Sequence, residues 1–404
     1  MNILALTSVY PQPDDGDDVV TPTVQYFCNK WAEAGHCVFV IHSNSRFPAL
    51  AYTVPVGIRQ KLSSKLGFNF PTESSRKPKM RVENGIKIYR LPMTKIVPHK
   101  RFRKNQIKVQ TGKIEEILSA ERFVPDLIVS HWLNPQLDLI LTLKKKYNVK
   151  TSLVFHNDCT LKNVEIYDLK NTITQIDAVG CRNMTYAKEV KDRLGLSRMP
   201  FICYSGIPDE KAEEQIMTIE NLPITPKHDY IYAGRLVQYK NVDVIVKALS
   251  RTFPNGGFKL HVIGEGAERE ILERMTKKFG ITDQVIFYGS MSRDKVFETM
   301  KKCNCFIMVS DNETFGMVYI EAMLAGCITV ASKKGGVDGV IIDGVNGFLS
   351  EQGSVDDLVL TLARIDSLSR EETVELKKKA IRTAYEYRDS KVSEDYLSDV
   401  LNWR

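Results

Sequence analysis

The chain alternates short runs of β-branched apolar residues with longer segments in which apolar residues recur at helical spacing. Such alternation predicts βαβ units whose parallel strands are covered by helices on both faces. In the first half of the chain we predict strands over residues 3–9, 37–42, 85–91, 127–131 and 151–156, and helices over 23–34, 108–120 and 136–146.

The same pattern begins again after Pro208. Here we predict strands over residues 229–233, 259–263, 285–288, 305–309 and 328–331, and helices over 242–251, 269–279, 293–302 and 316–325. Segment 210–227, in which acidic residues are followed by two prolines, is predicted to be a linker. Residues 371–403 are predicted to be helical with an interruption near 387–390. The sequence therefore predicts an α/β protein with two doubly wound halves.

The composition is that of a globular protein. The 404 residues are 43% hydrophobic and 26% charged, which suits two or three domains and excludes disordered, collagen-like and small disulfide-bonded proteins. The eight cysteines are scattered through apolar runs without a C-x-x-C pair, as is typical of buried thiols in a reducing compartment. We interpret the apolar N terminus as a strand and not as a signal peptide, and we find no apolar run of about 18 residues. We therefore expect a cytoplasmic protein.

The formal net charge of +7 conceals a strongly basic segment. Residues 59–108 contain fifteen Lys and Arg against two acidic residues, a local charge of +13, together with prolines and aromatic residues. We interpret this segment as a cationic excursion that faces an anionic membrane or a lipid pyrophosphate, with Arg101, Arg103 and Lys104 as membrane-facing residues. A solvated loop and a nucleic-acid-binding surface are the alternatives.

Two cations follow the first predicted strand of the second half. Gly234 and Arg235 come directly after this strand, and Lys240 lies five residues beyond Arg235. Ligands of open α/β sheets bind at the carboxyl ends of the strands. An Arg and a Lys there suit a diphosphate, because Arg offers a bidentate fork and Lys a mobile charge. The alternative is a solvated pair that caps the loop.

Segment 310–326 carries a second candidate site. Glu313 lies just before a predicted helix, and Glu321 is the only charge inside that helix, where an unpaired carboxylate would be costly. Glu321 therefore needs a partner such as a sugar hydroxyl or a cation. The N–H groups around Phe315, Gly316 and Met317 suit an anion at the start of the helix. The alternative is a helix-stabilising carboxylate with one internal salt bridge.

Further candidates follow other predicted strands. Gly264 and Gly266 lack the third glycine of a dinucleotide fingerprint, which disfavours NAD. His131 and His156 end neighbouring strands of the first half, where either could bind a sugar hydroxyl or transfer a proton, although a satisfied polar residue at a strand end is the alternative. H-E-x-x-H, G-x-S-x-G and P-loop motifs are absent from the sequence, which argues against zincin, hydrolase-elbow and P-loop chemistry.

Together these residues resemble the retaining GT-B glycosyltransferases of family 4, which elongate bacterial polysaccharides and glycolipids. The resemblance covers nearly the whole chain and is most specific between residues 230 and 349. It rests on Gly234 and Arg235 with Lys240, Gly264 with Gly266, Gly289, Glu313 with Glu321, Gly335 with Gly336, and Asn346 to Phe348.

The resemblance implies two Rossmann-like domains that face a cleft. The expected acceptor-side domain is 1–208, with the basic excursion 59–108, and the expected nucleotide-sugar-binding domain is 209–384. Residues 385–404 would form a helix that crosses back to the first domain. Two segments depart from the family pattern: loop 10–23 carries four aspartates where a flexible Gly-Gly loop is common, and Ser205 stands where an Asn is usual.

The resemblance also implies roles for individual residues. Arg235 and Lys240 would hold the donor diphosphate, Glu321 the ribose hydroxyls, and His156 would lie near the transferred sugar. The expected catalytic residues are His156, Glu313, Arg235 and Lys240. The expected donor site comprises Gly234, Arg235, Lys240, Gly264, Gly266, Gly289, Glu313, Thr314, Phe315, Gly316, Met317 and Glu321. The expected acceptor side comprises Gly16, Thr21, Thr23 and His131.

The expected reaction is the retaining transfer of a hexosyl or N-acetylhexosaminyl group from a nucleotide-diphosphate sugar to a hydroxyl of a growing glycan. UDP is the expected carrier by family frequency, and the glycan is expected to be a lipid-linked or surface polysaccharide precursor. Neither a metal nor another cofactor is expected, since two cations and a helix N terminus would stabilise the leaving diphosphate. We expect peripheral association with the inner face of the cell membrane and no nucleic acid partner. The alternatives are a GT-B-like UDP-N-acetylglucosamine epimerase and a nucleic-acid- or nucleotide-sugar-binding module without turnover.

Overall fold

The computed structural model describes residues 1–11, 22–48, 53–55, 77–95, 100–223, 225–311 and 313–403. The chain folds into two compact units. The first comprises Met1–Arg182, Tyr186–Cys203 and Ser393–Arg404, and the second comprises Asn183–Thr185 and Tyr204–Val392. Each unit is built on a sheet of its own, which is mainly parallel in the first unit and fully parallel in the second.

The first unit follows the α/β pattern predicted from the sequence. Its strands are β1 (Asn2–Thr7), β2 (Cys37–His42), β3 (Ser45–Arg46), β4 (Lys79–Glu83), β5 (Ile86–Arg90), β6 (Met93–Thr94), β7 (Leu127–His131), β8 (Lys150–Phe155), β9 (Ala178–Cys181) and β10 (Phe201–Ile202). Its helices are α1 (Thr23–Glu33), α2 (Lys104–Ala120), α3 (Gln136–Tyr147), α4 (Leu161–Tyr167), α5 (Leu169–Thr172) and α6 (Met184–Leu194).

The main sheet of this unit has the strand order β10-β9-β8-β7-β1-β2-β5-β4, while β3 and β6 pair separately. Strands β4 and β5 are antiparallel, and the other neighbours run parallel. The strand order reverses between β1 and β7, which makes their carboxyl ends the expected place for a ligand. Residues 3–6 of β1 are buried, as both faces of the sheet are covered.

The second unit is a Rossmann-like sheet with helices around it. Its strands are β11 (Asp229–Ala233), β12 (Lys259–Ile263), β13 (Val285–Gly289), β14 (Cys305–Met308), β15 (Ile328–Ser332) and β16 (Phe348–Ser350). Its helices are α7 (Asp209–Met217), α8 (Val242–Thr252), α9 (Arg269–Phe279), α10 (Arg293–Met300), α11 (Met317–Leu324), α12 (Val355–Asp366) and α13 (Arg370–Tyr385). A final helix, α14 (Asp389–Leu401), follows them in the chain.

All neighbouring strands of the second sheet are parallel, in the order β13-β12-β11-β14-β15-β16. In chain order this is the 3-2-1-4-5-6 arrangement of dinucleotide-binding folds, and the order reverses between β11 and β14. The predicted α/β class with two Rossmann-like domains is therefore confirmed.

Several boundaries differ from the predictions for local reasons. The prediction of a linker over 210–227 was wrong, because α7 covers Asp209–Met217 and buries Ala212 and Gln215, with acidic residues in its first turn. Helix α2 begins four residues before its predicted start, where the side chain of Gln106 accepts a hydrogen bond from the backbone N–H of Arg103. The sequence pattern also missed the short strands β3, β4, β6, β9, β10 and β16 and the helices α4, α5, α6 and α12.

The C-terminal residues Ser393–Arg404 belong to the first unit. The indole N–H of Trp31 donates to the carbonyl of Ser393 at 3.0 Å. Buried Tyr396 packs its ring 5.2 Å from that of Phe27. Lys150 Nζ donates to the carbonyl of Leu401 at 2.7 Å. The predicted interruption of the C-terminal helix falls between α13 and α14.

Candidate functional site

The loops after β11 and β14 meet at the point where the strand order of the second sheet reverses. Arg235 and Lys240 come from the loop after β11, and Glu313 comes from the loop after β14. Lys240 Nζ forms an ion pair with Glu313 Oε2, and the two side chains are only 12% and 15% exposed. The pair holds the two loops together in a largely dry environment, where a cation and an acceptor oxygen are both strengthened.

Arg235 is the exposed cation of this cluster. Within the described part of the chain, its guanidinium makes neither an ion pair nor a hydrogen bond. The backbone around it is fixed, because the hydroxyl of Tyr232 donates to the carbonyl of Arg235 at 2.8 Å. Arg235 thus presents five N–H donors to solvent from the same loop as Lys240, an arrangement suited to an anionic ligand.

Glu321 has the partner that the sequence required. Its Oε1 accepts from Nε of Arg293, the first residue of α10, and the Glu321 side chain is 14% exposed. The guanidinium lowers the cost of holding a carboxylate inside the apolar helix α11. The oxygens of the paired carboxylate can accept hydrogen bonds from hydroxyl groups.

The start of α11 has the backbone geometry of an anion site. Gly316 caps the helix with φ +76°, and a Cβ at this position would lie 2.6 Å from the ring of Tyr319. Only glycine fits such a position without strain. The N–H groups of Met317 and Val318 come too early in the helix to have an acceptor within it, whereas the N–H of Tyr319 donates to the carbonyl of Gly316 at 3.0 Å. Phe315 is buried beside Tyr204, with ring centroids 5.3 Å apart, which anchors this turn.

The glycines after β11, β12 and β13 bring three loops into backbone contact. Gly264 N donates to the carbonyl of Gly289 at 2.8 Å, and Gly234 N donates to that of Ile263 at 2.9 Å. A Cβ on Gly264 would lie 1.9 Å from the carbonyl oxygen of Gly234, and one on Gly266 would lie 2.1 Å from that of Leu236. These glycines are therefore required for the loops to pack against each other.

In the first unit, the two predicted histidines lie side by side at the ends of β7 and β8. His131 Nδ1 and His156 Nε2 are 2.9 Å apart. The indole of Trp132 stacks on His156, with ring centroids 4.0 Å apart. Trp132 has φ +66° and Asn157 has φ +63°. Left-handed conformations of bulky residues are costly and cluster at functional sites.

Burial sets the charge of this histidine pair. Desolvation lowers the pKa of both imidazoles well below the usual value, helped by the nearby charge of Arg182. Both rings are therefore neutral at pH 7. Asp158 holds the loop that carries His156: it accepts from the backbone N–H of His156 at 2.9 Å and from that of Leu133 at 2.5 Å. Burial raises the pKa of Asp158 to about 6.

Two of the expected acceptor-side residues are not accessible. His131 is 1% exposed and lies between Phe27 and Tyr396, so it can act on a ligand only through His156. Thr23 is 5% exposed at the start of α1. Both expectations are corrected here, because side chains packed in the core cannot contact an acceptor directly. Gly16 and Thr21 lie outside the described residues.

The three expected membrane-facing cations differ in their surroundings. Arg101 pairs with both carboxylate oxygens of Asp138 and lies over the ring of Tyr167 at 4.5 Å. Its charge is thus paired inside the unit, while its side chain stays 33% exposed, and its membrane-facing role stays a prediction. Arg103 and Lys104 are exposed and border a groove of about 810 Å³ along α2.

Sequence reasoning missed Arg293, Trp132 and Asp158 as parts of these sites. Arg293 follows the end of β13 by four residues, so its position after a strand was a usable signal. The stacking of Trp132 on His156 depends on a left-handed backbone that the sequence pattern does not show. Asp158 lies two residues beyond His156, a spacing that an Asx-type loop contact could have suggested.

Comparison with known proteins supports a GT-B glycosyltransferase. Residues 215–387 match the family model of the glycosyl transferases group 1. An uncharacterized glycosyltransferase of Methanocaldococcus jannaschii is 29% identical over 273 residues, which are 65% of this chain and 71% of that protein. The lipopolysaccharide 1,6-galactosyltransferase of Salmonella typhimurium is 34% identical over 144 residues, which are 34% of this chain and 39% of that protein.

The fold has relatives among solved structures. The crystal structure of Anabaena HepE in complex with UDP and glucose matches with a TM-score of 0.62 at 16% identity, and the match covers 98% of each chain. At this level of identity the likeness shows the fold, which is GT-B. Within the described residues, no helix combines the length and the apolar character needed to cross a bilayer.

Proposed function

We propose that this protein is a retaining glycosyltransferase that moves a sugar from a UDP-linked donor to a hydroxyl of a growing glycan, without a catalytic metal. The observation that carries the proposal is the grouping of Arg235, Lys240, Glu313 and Glu321 around the switch point of the second sheet. This grouping places two cations, a helix start and two carboxylates where open α/β sheets bind their ligands. The match to the group 1 glycosyl transferases covers the same residues.

The charges of the site suit a nucleoside diphosphate. In the proposed complex the exposed Arg235 binds the phosphate oxygens in a bidentate manner, and Lys240 adds a second positive charge. The N–H groups at the start of α11 supply further donors to the diphosphate. Glu321, held by Arg293, accepts hydrogen bonds from the ribose hydroxyls. Each group therefore has one part of the donor to bind.

The same groups serve the chemical step. As the glycosidic bond breaks, negative charge grows on the departing diphosphate, and donors fixed before the reaction stabilise that charge. The acceptor hydroxyl attacks the anomeric carbon from the face that the diphosphate leaves, and its proton passes to the departing phosphate. Glu313, whose carboxylate is held in place by Lys240, accepts hydrogen bonds from hydroxyls of the transferred sugar. A stable glycosyl-enzyme adduct on any side chain would contradict this front-face route.

The histidine pair gives His156 a defined role beside the sugar. Both rings are neutral, and within the part of the chain that the structure describes, the buried His131 Nε2 has no hydrogen-bond partner. A buried acceptor without a partner is tolerated better than a buried N–H without one, so His131 Nδ1–H donates to His156 Nε2. The proton of His156 then resides on Nδ1. His156 thus donates a hydrogen bond to a sugar hydroxyl through Nδ1.

The proposed substrates rest on the named relatives. UDP is chosen because HepE was solved with UDP and glucose. A glycan acceptor on a lipid or surface polysaccharide precursor is chosen because the Salmonella relative is a lipopolysaccharide galactosyltransferase. The exposed Arg103 and Lys104 on α2 would hold the protein on an anionic membrane where such acceptors reside, since each basic residue near the surface contributes roughly 1 kcal/mol.

Turnover of radiolabelled donors tests the proposal. The purified chain is incubated in EDTA with UDP-glucose, UDP-galactose or UDP-N-acetylglucosamine and a lipid extract from the source cells, and label is followed into the lipid phase. We expect incorporation from one donor, reduced at least 100-fold in Arg235→Ala. Arg251→Ala is the matched control, because Arg251 lies on the surface of the same unit, with its side chain 56% exposed.

Two other outcomes of this experiment would indicate a different function. Conversion of UDP-N-acetylglucosamine into a free monosaccharide without incorporation would indicate an epimerase. Binding of a donor without any turnover would indicate a binding module. Either result would overturn the proposed transfer reaction, while equal incorporation by Arg235→Ala would overturn the proposed donor site.

A further inference from the structure

Three side chains of metal-binding type lie close together near the amino ends of the strands of the second sheet. Arg235 and Glu313 lie at the opposite, carboxyl ends of these strands. Asp229 begins β11, His261 lies in β12, and Cys303 precedes β14. One carboxylate oxygen, one imidazole nitrogen and the thiol sulfur all lie within 4.8 Å of one another. Cys303 is 1% exposed, and the Asp229 and His261 side chains are 15% and 14% exposed.

The contact between Asp229 and His261 lacks hydrogen-bonding geometry. His261 Nε2 lies 2.8 Å from Asp229 Oδ1, yet among the described residues this buried oxygen has no hydrogen-bond partner. The other ring nitrogen, His261 Nδ1, lies 2.8 Å from the hydroxyl of Tyr288. A carboxylate oxygen and an imidazole nitrogen that lie this close without a hydrogen bond between them are both available to a cation after a small rotation of the ring.

We propose that Asp229, His261 and Cys303 bind a Zn²⁺ ion, with water as the fourth ligand. One oxygen, one nitrogen and one sulfur donor form a set that Zn²⁺ accepts in tetrahedral geometry, whereas Mg²⁺ and Ca²⁺ prefer oxygen ligands. Tyr288 is the outer partner that orients the ligating imidazole, as such partners do in zinc sites generally. Small shifts of the three side chains bring their donor atoms to the ion.

The ion would join three consecutive parts of the sheet. β11 has β12 and β14 as its two neighbours, and the three ligands come from these strands or directly before them. A metal there stabilises the folded unit, because it binds the folded chain and not the unfolded one. This site lies near the amino ends of the strands, whereas the proposed donor site lies at their carboxyl ends. UDP binding therefore does not require the metal.

Co²⁺ titration of the full-length chain, after chelator treatment and dialysis, tests this site. We expect one Co²⁺ per chain with the visible absorption of tetrahedral cobalt and a thiolate-to-cobalt charge-transfer band, displaced by one equivalent of Zn²⁺. The charge-transfer band should be lost in Cys303→Ser, and the affinity should fall at least 100-fold in His261→Asn. Cys327→Ser is the matched control, because Cys327 is buried in the same unit but lies outside the ligand set.

If the ligand variants do not fold, a Tyr288→Phe variant provides a second test of the proposed site. It retains all three ligands and should weaken Co²⁺ binding about 10-fold. Absence of saturable Co²⁺ binding by the wild-type chain would overturn the proposal. An unchanged spectrum in Cys303→Ser, or equal loss in Cys327→Ser, would overturn the assigned ligands. UDP binding measured in EDTA reports on the proposed function separately.

Discussion

Arg293 and Glu321 form an ion pair, although they belong to helices that follow different strands of the second sheet. Arg293 opens α10 after β13, and Glu321 lies in the second turn of α11 after β14. A carboxylate within the apolar face of α11 is stable only when a cation compensates it. The pair therefore fixes a hydrogen-bond acceptor for ribose at the proposed donor site.

Replacement of Arg293 tests this relationship. Arg293→Met leaves Glu321 without its cation, so the carboxylate either reorients or takes up a proton. We expect the affinity for UDP, measured by calorimetry, to fall about 10-fold, which corresponds to about 1.4 kcal/mol. Arg293→Lys keeps the charge and should lose less. Unchanged affinity in Arg293→Met would show that Glu321 does not need this partner.

We expect the Lys240–Glu313 ion pair to contribute to the free energy of unfolding. Lys240→Met leaves Glu313 without its partner while the carboxylate is 15% exposed, and we expect a loss of roughly 2 kcal/mol in the free energy of unfolding. The double variant Lys240→Met/Glu313→Leu should regain most of that loss, because no unpaired charge remains. Both variants should lack transferase activity. Equal stability of the single and double variants, measured by differential scanning calorimetry, would contradict the pairing.

The raised pKa of Asp158 should make the stability of the folded chain depend on pH. Burial raises its pKa from 3.8 in the unfolded chain to about 6 in the folded chain. Between these values the folded chain binds more protons than the unfolded chain, so the contribution of this group to stability falls as the pH rises. It is fully present below about pH 4 and is lost above about pH 6. We expect the stability of wild type relative to Asp158→Asn to fall by up to about 3 kcal/mol from pH 4 to pH 7.

Urea unfolding followed by tryptophan fluorescence measures this difference. All three tryptophans, Trp31, Trp132 and Trp403, lie in the first unit with Asp158. The slope with pH is diagnostic, since an amide side chain does not titrate and its effect on the two backbone hydrogen bonds is the same at every pH. A difference between wild type and variant that does not vary with pH would show that Asp158 titrates normally.

The cations of α2 predict a selective effect on membrane binding. Charge reversal of the exposed pair Arg103 and Lys104 should reduce sedimentation with vesicles of anionic lipid at least fivefold and leave stability nearly unchanged. Arg101→Glu should instead lower the melting temperature, because it places two carboxylates together at Asp138. Vesicle binding that is lost equally in neutral and anionic lipid would contradict an electrostatic contact.

The regular elements of the fold could be predicted because both sheets are buried on two faces. Strands such as β14 and β15 are continuous runs of buried residues, and their predicted bounds agree with the structure to within one residue. Short strands such as β3 and β10 could not be predicted. Each is two residues long, which is too short to show any periodicity. Helix α7 was taken for a linker because its acidic residues dominate its pattern, although Ala212 is fully buried.

The candidate donor site could be predicted in its residues but not in its pairings. Position after a strand identified Arg235, Lys240 and Glu313, because parallel strands gather their carboxyl ends at one edge. Nothing local to the sequence indicates that Lys240 pairs with Glu313, or that Glu321 pairs with Arg293 across 28 residues. The burial of His131 likewise depends on Tyr396, which is distant in the chain and packs beside it.

Titration of UDP into the wild-type chain and into Glu321→Gln, in EDTA and by calorimetry, tests the central claim most directly. The Gln side chain keeps the size of Glu321 but loses its charge, and Glu298→Gln serves as an exposed control, with its side chain 61% exposed. We predict saturable binding of one UDP by wild type and by the control, and at least 10-fold weaker binding by Glu321→Gln. Absence of UDP binding by the wild-type chain, or equal binding by all three proteins, would contradict the proposed donor site.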